Sequence, residues 1–442
     1  MGTESKKSYS RLRSLSAGSI LMLAVVLIVF GELIYVLPKL ASNSISLSAL
    51  LYENSIPESD ETPVPEQYTQ ENGITGTEDS EPTANVPIII PTPEPVQKSG
   101  NTELTLCFGG TVAIEDKIRK SDYYNDTKVY DFSQNLSLLS SRVDSDLNIV
   151  FLENIISDSQ KVSKTVVPSV ASEMLTSAGF DIVLCGYRSC FDKGKSGLTD
   201  TLDALSGAGL DTRGEYNADP SAKDLITTVN GIKIAVLQFT DKLDQTGANQ
   251  LRKSAGAGSV SIADAENVKN QINLVRSAGA QIVIACVSWG KAGDTVPSGN
   301  QIKIAEMIAA SGADLIIGAG SRTVQKAEYI KCSAENGSER NVLCVYSLGT
   351  LLSDNRDRIN RMSGVLMKVK MTVSDQVPAA VRDVDYVPTY VWYYKQDGQN
   401  YYRTVAADGE APDGMDPDQT KNRDKARELV DELFDGGFSV SE

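Results

Sequence analysis

Residues 179–210 read GFDIVLCGYRSCFDKGKSGLTDTLDALSGAGL. The run Asp181–Tyr187 is apolar without alternation, the pattern of a short strand covered on both faces. Gly179 before it and Gly209 at its far end stand where a helix has just stopped and the chain needs a positive φ to turn into a strand. Strand, helix and glycine stop in succession are the punctuation of an α/β fold.

The device recurs downstream. Residues 277–284 (SAGAQIVI) and 311–317 (SGADLII) place Gly279 and Gly312 in the same position ahead of apolar runs. LTLCFGG, LNIVFLEN, QIVIACVSWG and ADLIIGAG also read as buried strands. Asn230-Gly231 between two alternating runs predicts a type I′ hairpin, so antiparallel pairing is mixed in. AEYIKC, NVLCVYSLG and GVLMKVKMTV follow with no helix between them, too many strands for one simple doubly wound sheet. From about residue 376 a Tyr-rich hairpin and a last helix, RDKARELVDELF, are expected to cover one edge of the domain, with the aromatic stripe serving packing.

Composition narrows the chemistry. The chain has 442 residues and contains no histidine, which removes Ser-His-Asp and Cys-His nucleophile systems and imidazole acid-base or zinc chemistry. A formal charge of −16 argues against nucleic acid as a partner. The cysteines, at 107, 185, 190, 286, 332 and 344, show no C-x-x-C spacing. Cys107, Cys185 and Cys286 lie in apolar runs and are expected to be buried thiols. Cys332 and Cys344 flank a polar turn and are a candidate disulfide in an extracellular compartment.

Three segments precede the folded region. Residues 1–19 form a basic tail, with Lys6, Lys7, Arg11 and Arg13; residues 20–38 hold an apolar stretch, broken only by Glu32, of the length that crosses a bilayer. No Lys or Arg appears between Lys39 and Lys98, so the positive-inside rule predicts a cytoplasmic N-terminus and an extracellular remainder. A cleaved signal peptide is the competing expectation, but no A-x-A site follows the stretch. Residues 39–100 carry eight prolines and ten carboxylates, a composition that predicts a disordered, extended spacer. The expected folded domain is 101–442.

The order of motifs from 103 to about 402 resembles the CapA family, the poly-γ-glutamate capsule biosynthesis proteins. The resemblance is carried by the opening stretch above, by SWG followed by IAEMIAASGADLIIGAGSRTVQKAEYI, and by YSLGT. It implies a four-layer α/β/β/α sandwich with mixed sheets, the calcineurin-like metallophosphatase fold. It also implies strand-end acidic, Asn and His residues suited to divalent metal, and here this chain departs. The position of the family's first aspartate is Gly110; Glu153 is retained, but the Asn-Asn-His run falls on Tyr187, Arg188 and Ser189, followed by Asp192. His-Trp-Gly becomes Ser288, Trp289 and Gly290, and the two histidines near residue 320 become Gly320 and Arg322; Thr350 replaces an asparagine. Trp289, Asp314, Gly318, Gln325, Tyr346 and Gly349 remain as scaffold. The expectation is a degenerate relative with no metal, no cofactor and no confident catalytic residue.

Two readings of the substituted positions stay open. Arg188 and Arg322, with hydroxyls of Ser189, Ser288 and Ser321, would suit an anion bidentately. Alternatively Glu153 and a nearby Asp neutralise both guanidinium groups. Glu153 and Asp192 also invite comparison with a glycosidase carboxylate pair, against the plainer reading that Glu153 pairs with an arginine and Asp192 caps a turn. Gly194-Lys195-Ser196 imitates the end of a phosphate loop, but the residue five positions before Gly194 is Ser189, so it is read as a turn. The expected function is that of a membrane-anchored extracellular binding or scaffold protein in capsule or envelope polymer production, with an anionic envelope polymer or capsule-synthesis proteins as partners. The alternatives are a hydrolase of envelope polymer or phosphoester without the family's metals, and a purely structural subunit of a synthesis complex.

Overall fold

In a computed structural model the described residues are 102–434 and 438, apart from 215–220, 255–259, 334–336, 375–378 and 397. The expected membrane helix and spacer lie outside them. Among the described residues no helix is long and apolar enough to cross a membrane.

Two sheets carry the fold. The first contains β1 (Thr102–Val112), β2 (Leu147–Leu152), β3 (Ile182–Leu184) and β4 (Asp211–Arg213). The second contains β5 (Ile226–Val229), β6 (Ile232–Thr240), β7 (Ile282–Ser288), β8 (Leu315–Ala319), β9 (Val324–Ser333) and β10 (Glu339–Leu348). The chain then returns to the first sheet as β11 (Thr350–Leu352), β12 (Ser363–Val373), β13 (Ala380–Gln396) and β14 (Gln399–Ala406). The sheet orders are β14-β13-β12-β1-β2-β3-β4, with β11 beside β1, and β9-β10-β8-β7-β6-β5. In the first sheet β1 to β4 run parallel to one edge and β12 to β14 continue antiparallel on the other side of β1, whereas the second sheet has a parallel centre, β6, β7, β8 and β10, with antiparallel β5 and β9 at its edges. Helices α1 (Asp116–Ser121), α2 (Ala171–Ser177), α3 (Gly194–Gly207), α4 (Gln245–Lys253), α5 (Ala265–Ser277), α6 (Gly299–Ala310) and α7 (Pro417–Phe434) complete the frame.

The core sorts into layers by strand alternation. Leu104, Leu106 and Phe108 of the first sheet pack with Ile234, Ile284 and Ile317 of the second, so the sheets face one another. From the opposite face of the first sheet Cys107, Val150 and Val183 meet Met174 and Leu175 of α2 and Leu205 of α3. On the outer face of the second sheet, Leu237, Val283 and Ile316 meet Ile272 of α5 and Ile308 of α6. This is the α/β/β/α order, and it explains why the central strands read as unbroken apolar runs: both faces are covered.

Local sequence signals land where their chemistry requires. Gly179, Gly209, Gly279 and Gly312 all have positive φ, and Asn230 and Gly231, at φ +52° and +81°, form the hairpin between β5 and β6. The C-terminal hairpin departs from expectation: instead of covering an edge it extends the first sheet, and its own edge strand is tied down by Thr404 N–H donating to Asn135 O at 2.8 Å. α7 closes one end of the intersheet core with Val430 and Phe434. The candidate disulfide is not formed. The β9–β10 ladder pairs Cys332 with Arg340 and Cys344 with Glu328, because the turn sets a register that leaves the two cysteines four positions apart; both are free thiols.

Candidate functional site

The C-terminal ends of parallel strands from both sheets open on one cavity of about 330 Å³. Glu153 follows β2 directly, Arg188 lies four residues past β3, Ser288 ends β7, and Gly320 and Arg322 follow β8. These sequence-expected positions therefore do converge, and Ser189 joins them in the lining. Open α/β sheets place ligand crevices at this end of their strands.

Arg322 dominates one wall. Its Nη1 lies 2.8 Å from Glu115 Oε1, and its Nη2 and Nε lie 2.6 and 2.7 Å from Glu153 Oε2. The side chains are only 20% (Arg322), 17% (Glu115) and 13% (Glu153) exposed, so this is a largely desolvated ion triad. Two flanking contacts hold it. Thr350, at the departed asparagine position, donates its hydroxyl to Arg322 O at 2.9 Å, and Ser353 donates to Glu115 Oε2 at 2.8 Å. Arg322 itself sits at φ +54°, a left-handed conformation uncommon for a side chain of this size, and one that persists only where surrounding contacts over-determine it. Burial pushes Glu115 up, but Arg322, the Ser353 hydroxyl and the Asp354 N–H outweigh it and hold the carboxyl below its ordinary value. Burial likewise disfavours the charge on Arg322, and Glu153 and Glu115 more than restore it, raising its affinity for the proton.

Arg188 occupies the other wall. Its Nε and Nη2 grip both oxygens of Asp241 at 3.0 and 2.6 Å, a bidentate pair in which Arg188 remains 32% exposed. Asp241 follows β6 directly, with its N–H on Ser288 O at 3.0 Å. The next residues repeat the tie: Ser189 donates to Asp244 Oδ2 at 2.6 Å, and Asp244 N–H donates to Arg188 O at 2.9 Å. Asp244 is also the N-cap of α4, accepting from Gly247 N–H. Asp192 lies against this cap rather than in the cavity. Burial first, then the hydrogen-bonded Asp244 carboxylate, push Asp192 up to about 7. Burial opposes ionisation of Asp244, but the Ser189 hydroxyl, the Gly247 N–H and the shared hydrogen bond with Asp192 hold it below its ordinary value.

Several expectations change accordingly. Ser321 is fully buried and donates to Thr323 O at 2.9 Å, so it offers nothing to a ligand. Glu153 and Asp192 do not face each other across the cavity: each is engaged with a different partner. Both arginines have carboxylate partners, but only Arg322 is enclosed by them. Gly194-Lys195-Ser196 opens α3. Sequence reasoning missed Glu115, Asp241, Asp244 and Lys164. Asp241 carried a usable signal, a carboxylate immediately after a buried strand; Glu115, three residues beyond β1, carried none.

The scaffold positions have structural work. Trp289 is fully buried and donates Nε1–H to Tyr346 O at 2.7 Å. A side chain at Gly318 would place its Cβ 2.1 Å from that same oxygen. Asp314 accepts from Arg276, Arg340 and the Val283 N–H.

The donors gathered at the cavity do not fit a divalent metal. Both lining carboxylates are spent on a guanidinium that lies between them, and a fixed positive charge there opposes a second cation. Among the described residues no group of three or more His, Cys, Asp or Glu side chains is placed to hold a metal ion.

Fold and site together define a layered α/β protein with a charge-lined cavity at its strand ends. The chain belongs to the bacterial capsule synthesis protein family PGA_cap, which it matches over residues 105–355. It is similar to the capsule biosynthesis protein CapA of Bacillus anthracis, 27% identical over 202 residues, 44% of this chain and 46% of that protein. It is also similar to the PGA biosynthesis protein CapA of Bacillus subtilis (strain 168), 29% identical over 184 residues, 41% of this chain and 45% of that protein. The matched region thus spans under half the length of these curated relatives. Among solved structures, the calcineurin-like phosphoesterase YfkN from Bacillus subtilis is 14% identical with a TM-score of 0.37, over 75% of this chain and 99% of that one. A putative 5′-nucleotidase from Staphylococcus aureus, in complex with alpha-ketoglutarate, gives 12% and 0.37 over 74% and 59%.

Proposed function

We propose that this chain is a membrane-anchored, extracellular protein of capsule or envelope polymer production, of the poly-γ-glutamate kind, and that it acts by binding rather than by metal-dependent hydrolysis. Family membership and the two Bacillus relatives support the role in capsule production. The apolar stretch at 20–38, with Lys6, Lys7, Arg11 and Arg13 before it and only Lys39 after it until Lys98, supports the anchor and its orientation. The observation that carries the binding reading is Arg322 seated between Glu115 and Glu153. A two-metal phosphoesterase centre needs several free carboxylate and imidazole ligands to activate water. Here both carboxylates are held in ion pairs by a side chain of the protein itself, and no histidine exists anywhere in the chain.

The test is elemental analysis of the purified full chain after loading with zinc, manganese or iron, joined to an aryl-phosphate assay. The expected result is no stoichiometric metal and no turnover. One tightly held equivalent with turnover would overturn the reading. Protease treatment of intact cells checks the topology: the domain from 101 onward should be cut and residues 1–19 protected.

A further inference from the structure

The charges of the cavity balance, and they balance locally. Arg188 and Asp241 cancel as a bidentate pair. Lys164 belongs to the other side: Ile155 N–H, two residues past Glu153, donates to Thr165 O at 2.8 Å, which brings the exposed Lys164 to the side of Glu115 and Glu153. Arg322 and Lys164 therefore match those two carboxylates one for one. Asp116, which also meets the field of Lys164, has its own partner in Arg119 at 2.8 Å. Within this neutral lining the polar groups that take no hydrogen bond from the described residues are of mixed kind. Glu153 Oε1 is an acceptor, because only Oε2 meets Arg322, and Arg188 Nη1 is a donor, because Nε and Nη2 hold Asp241. Thr165 Oγ1 and Ser288 Oγ are hydroxyls, able to do both. Ser288 is only 4% exposed, and a Cβ on Gly320, also in the lining, would lie 3.2 Å from its Oγ, so the missing side chain is what leaves this hydroxyl open.

A ligand with a net charge finds no surplus of the opposite sign here, and it would give up its hydration without compensation. An acceptor, a donor and two hydroxyls in one lining call instead for groups that both donate and accept. We propose that the cavity is a receptor for one uncharged sugar unit, its hydroxyls donating to Glu153 Oε1, accepting from Arg188 Nη1 and doing both with Ser288 and Thr165. The idea rests on the binding function proposed above and narrows it: the cavity takes a neutral unit, and an anionic polymer is held elsewhere on the chain. A volume of about 330 Å³ is at the small end of ligand pockets and suits one sugar ring rather than a length of polymer. The ion pairs gain a second role on this view. Arg322 and Asp241 fix Glu153 and Arg188 as oriented hydrogen-bonding groups whose charge is already cancelled.

Saturation-transfer NMR titrations of the full chain, in a polyoxyethylene detergent so that no sugar headgroup competes, separate the cases. The probes are glucose, N-acetylglucosamine and its β-1,4-linked tetramer, the charged analogues glucosamine and glucuronate, and a γ-linked glutamate oligomer. Glucose or N-acetylglucosamine should bind saturably, the two charged analogues should bind at least tenfold more weakly, and the glutamate oligomer should not displace the sugar. Binding of the tetramer as well would assign the site to a glycan chain, whereas binding of the monosaccharide alone would assign it to a free sugar. Ser288→Ala with Thr165→Val removes only hydroxyls that hold nothing within the protein, so urea unfolding should be nearly unchanged while sugar affinity falls at least tenfold. Ala292→Trp, at an exposed position of the lining, should block the cavity without touching the ion pairs. Absence of saturable binding by both neutral sugars, equal binding of a charged analogue, or undiminished binding in either variant would each overturn the proposal. If the neutral sugars fail and the glutamate oligomer binds, the proposal falls and the broader binding function stands; metal-dependent turnover would overturn that function itself.

Discussion

The two walls of the cavity make an instructive comparison, because each presents an arginine where the family resemblance implies metal-binding residues. Arg322 is enclosed by two carboxylates, and its left-handed backbone is tied to Thr350. Arg188 is neutralised by one carboxylate, stays a third exposed, and adjoins the carboxyls of Asp192 and Asp244, the first pushed up to about 7 by burial and by the second. A similar replacement has thus produced a rigid ion cluster on one side and a softer, proton-sensitive one on the other. The difference comes from what each loop packs against. Arg322 reaches across to the ends of β1 and β2 in the other sheet, whereas Arg188 meets a loop that is itself only pinned by hydrogen bonds.

The largest expected effect follows from that contrast. Removing one partner of a buried ion cluster leaves uncompensated charge and costs about 3–5 kcal/mol, whereas an exposed pair is worth about 1 kcal/mol or less. Arg322→Asn keeps a residue that tolerates the left-handed backbone, so its loss of stability should report the stranded Glu115 and Glu153 rather than strain. Urea unfolding should place it about 3 kcal/mol or more below the native chain, and adding Glu115→Gln should recover part of the loss. Arg188→Gln should fall well short of that, lying between the two limits. Equal costs at the two arginines would erase the distinction between the walls.

Proton sensitivity separates the walls next. The folded-state value of Asp192 is raised to about 7 by burial and by Asp244, so between roughly 4 and 7 the folded protein binds a proton that the unfolded chain has released. Stability from this group is therefore present below the unfolded value, is lost as pH rises toward 7, and levels off above it. Asp244, whose value is lowered, works in the opposite sense, but only in the more acidic range below the unfolded value. Asp192→Asn mimics the protonated form at every pH. Discounted for the partial exposure of the site, it should be about 1 kcal/mol more stable than the native chain above pH 7 and equal to it near pH 4. A constant offset across that range would dissociate Asp192 from the pair.

Much of the frame is legible in the sequence alone, and the reason is physical. Glycine stops such as Gly179 and Gly312 and the Asn230-Gly231 turn are decided by local backbone sterics, and a strand covered on both faces leaves an unmistakable apolar run. The layer order came from family resemblance, since periodicity alone does not say which sheets face each other. The site was half legible. Glu153, Arg188, Ser288 and Arg322 stood at strand ends and did converge, but their partners came from loops whose direction no local rule fixes. Glu115 is invisible in the sequence because nothing within several residues of it announces a contact 207 positions away. Ser321 shows the converse: adjacent in sequence to Arg322, it is buried and spends its hydroxyl on Thr323 O. The cysteine pair failed on register, which a polar turn of unknown length leaves open.

The smallest effect is also the most local. Ser189 lines the cavity and spends its hydroxyl on Asp244 Oδ2, so it lies where the soft wall meets the α4 cap. Ser189→Ala removes one charge-assisted hydrogen bond from a carboxylate that keeps the Gly247 N–H and the Asp192 proton, so the cost should be about 1 kcal/mol rather than that of a stranded ion. Without the hydroxyl, Asp244 depends more on the proton it shares with Asp192, and the pair should hold that proton to a higher pH. The midpoint of the Asp192-dependent stability loss should therefore move upward in Ser189→Ala, while the Arg322 wall, tied to the other sheet, keeps its full contribution. Two unfolding series, Ser189→Ala with and without Asp192→Asn, read this directly. The upward shift should vanish when Asp192 can no longer titrate, and a shift that survives would mean that Ser189 acts on some group other than the carboxyl pair.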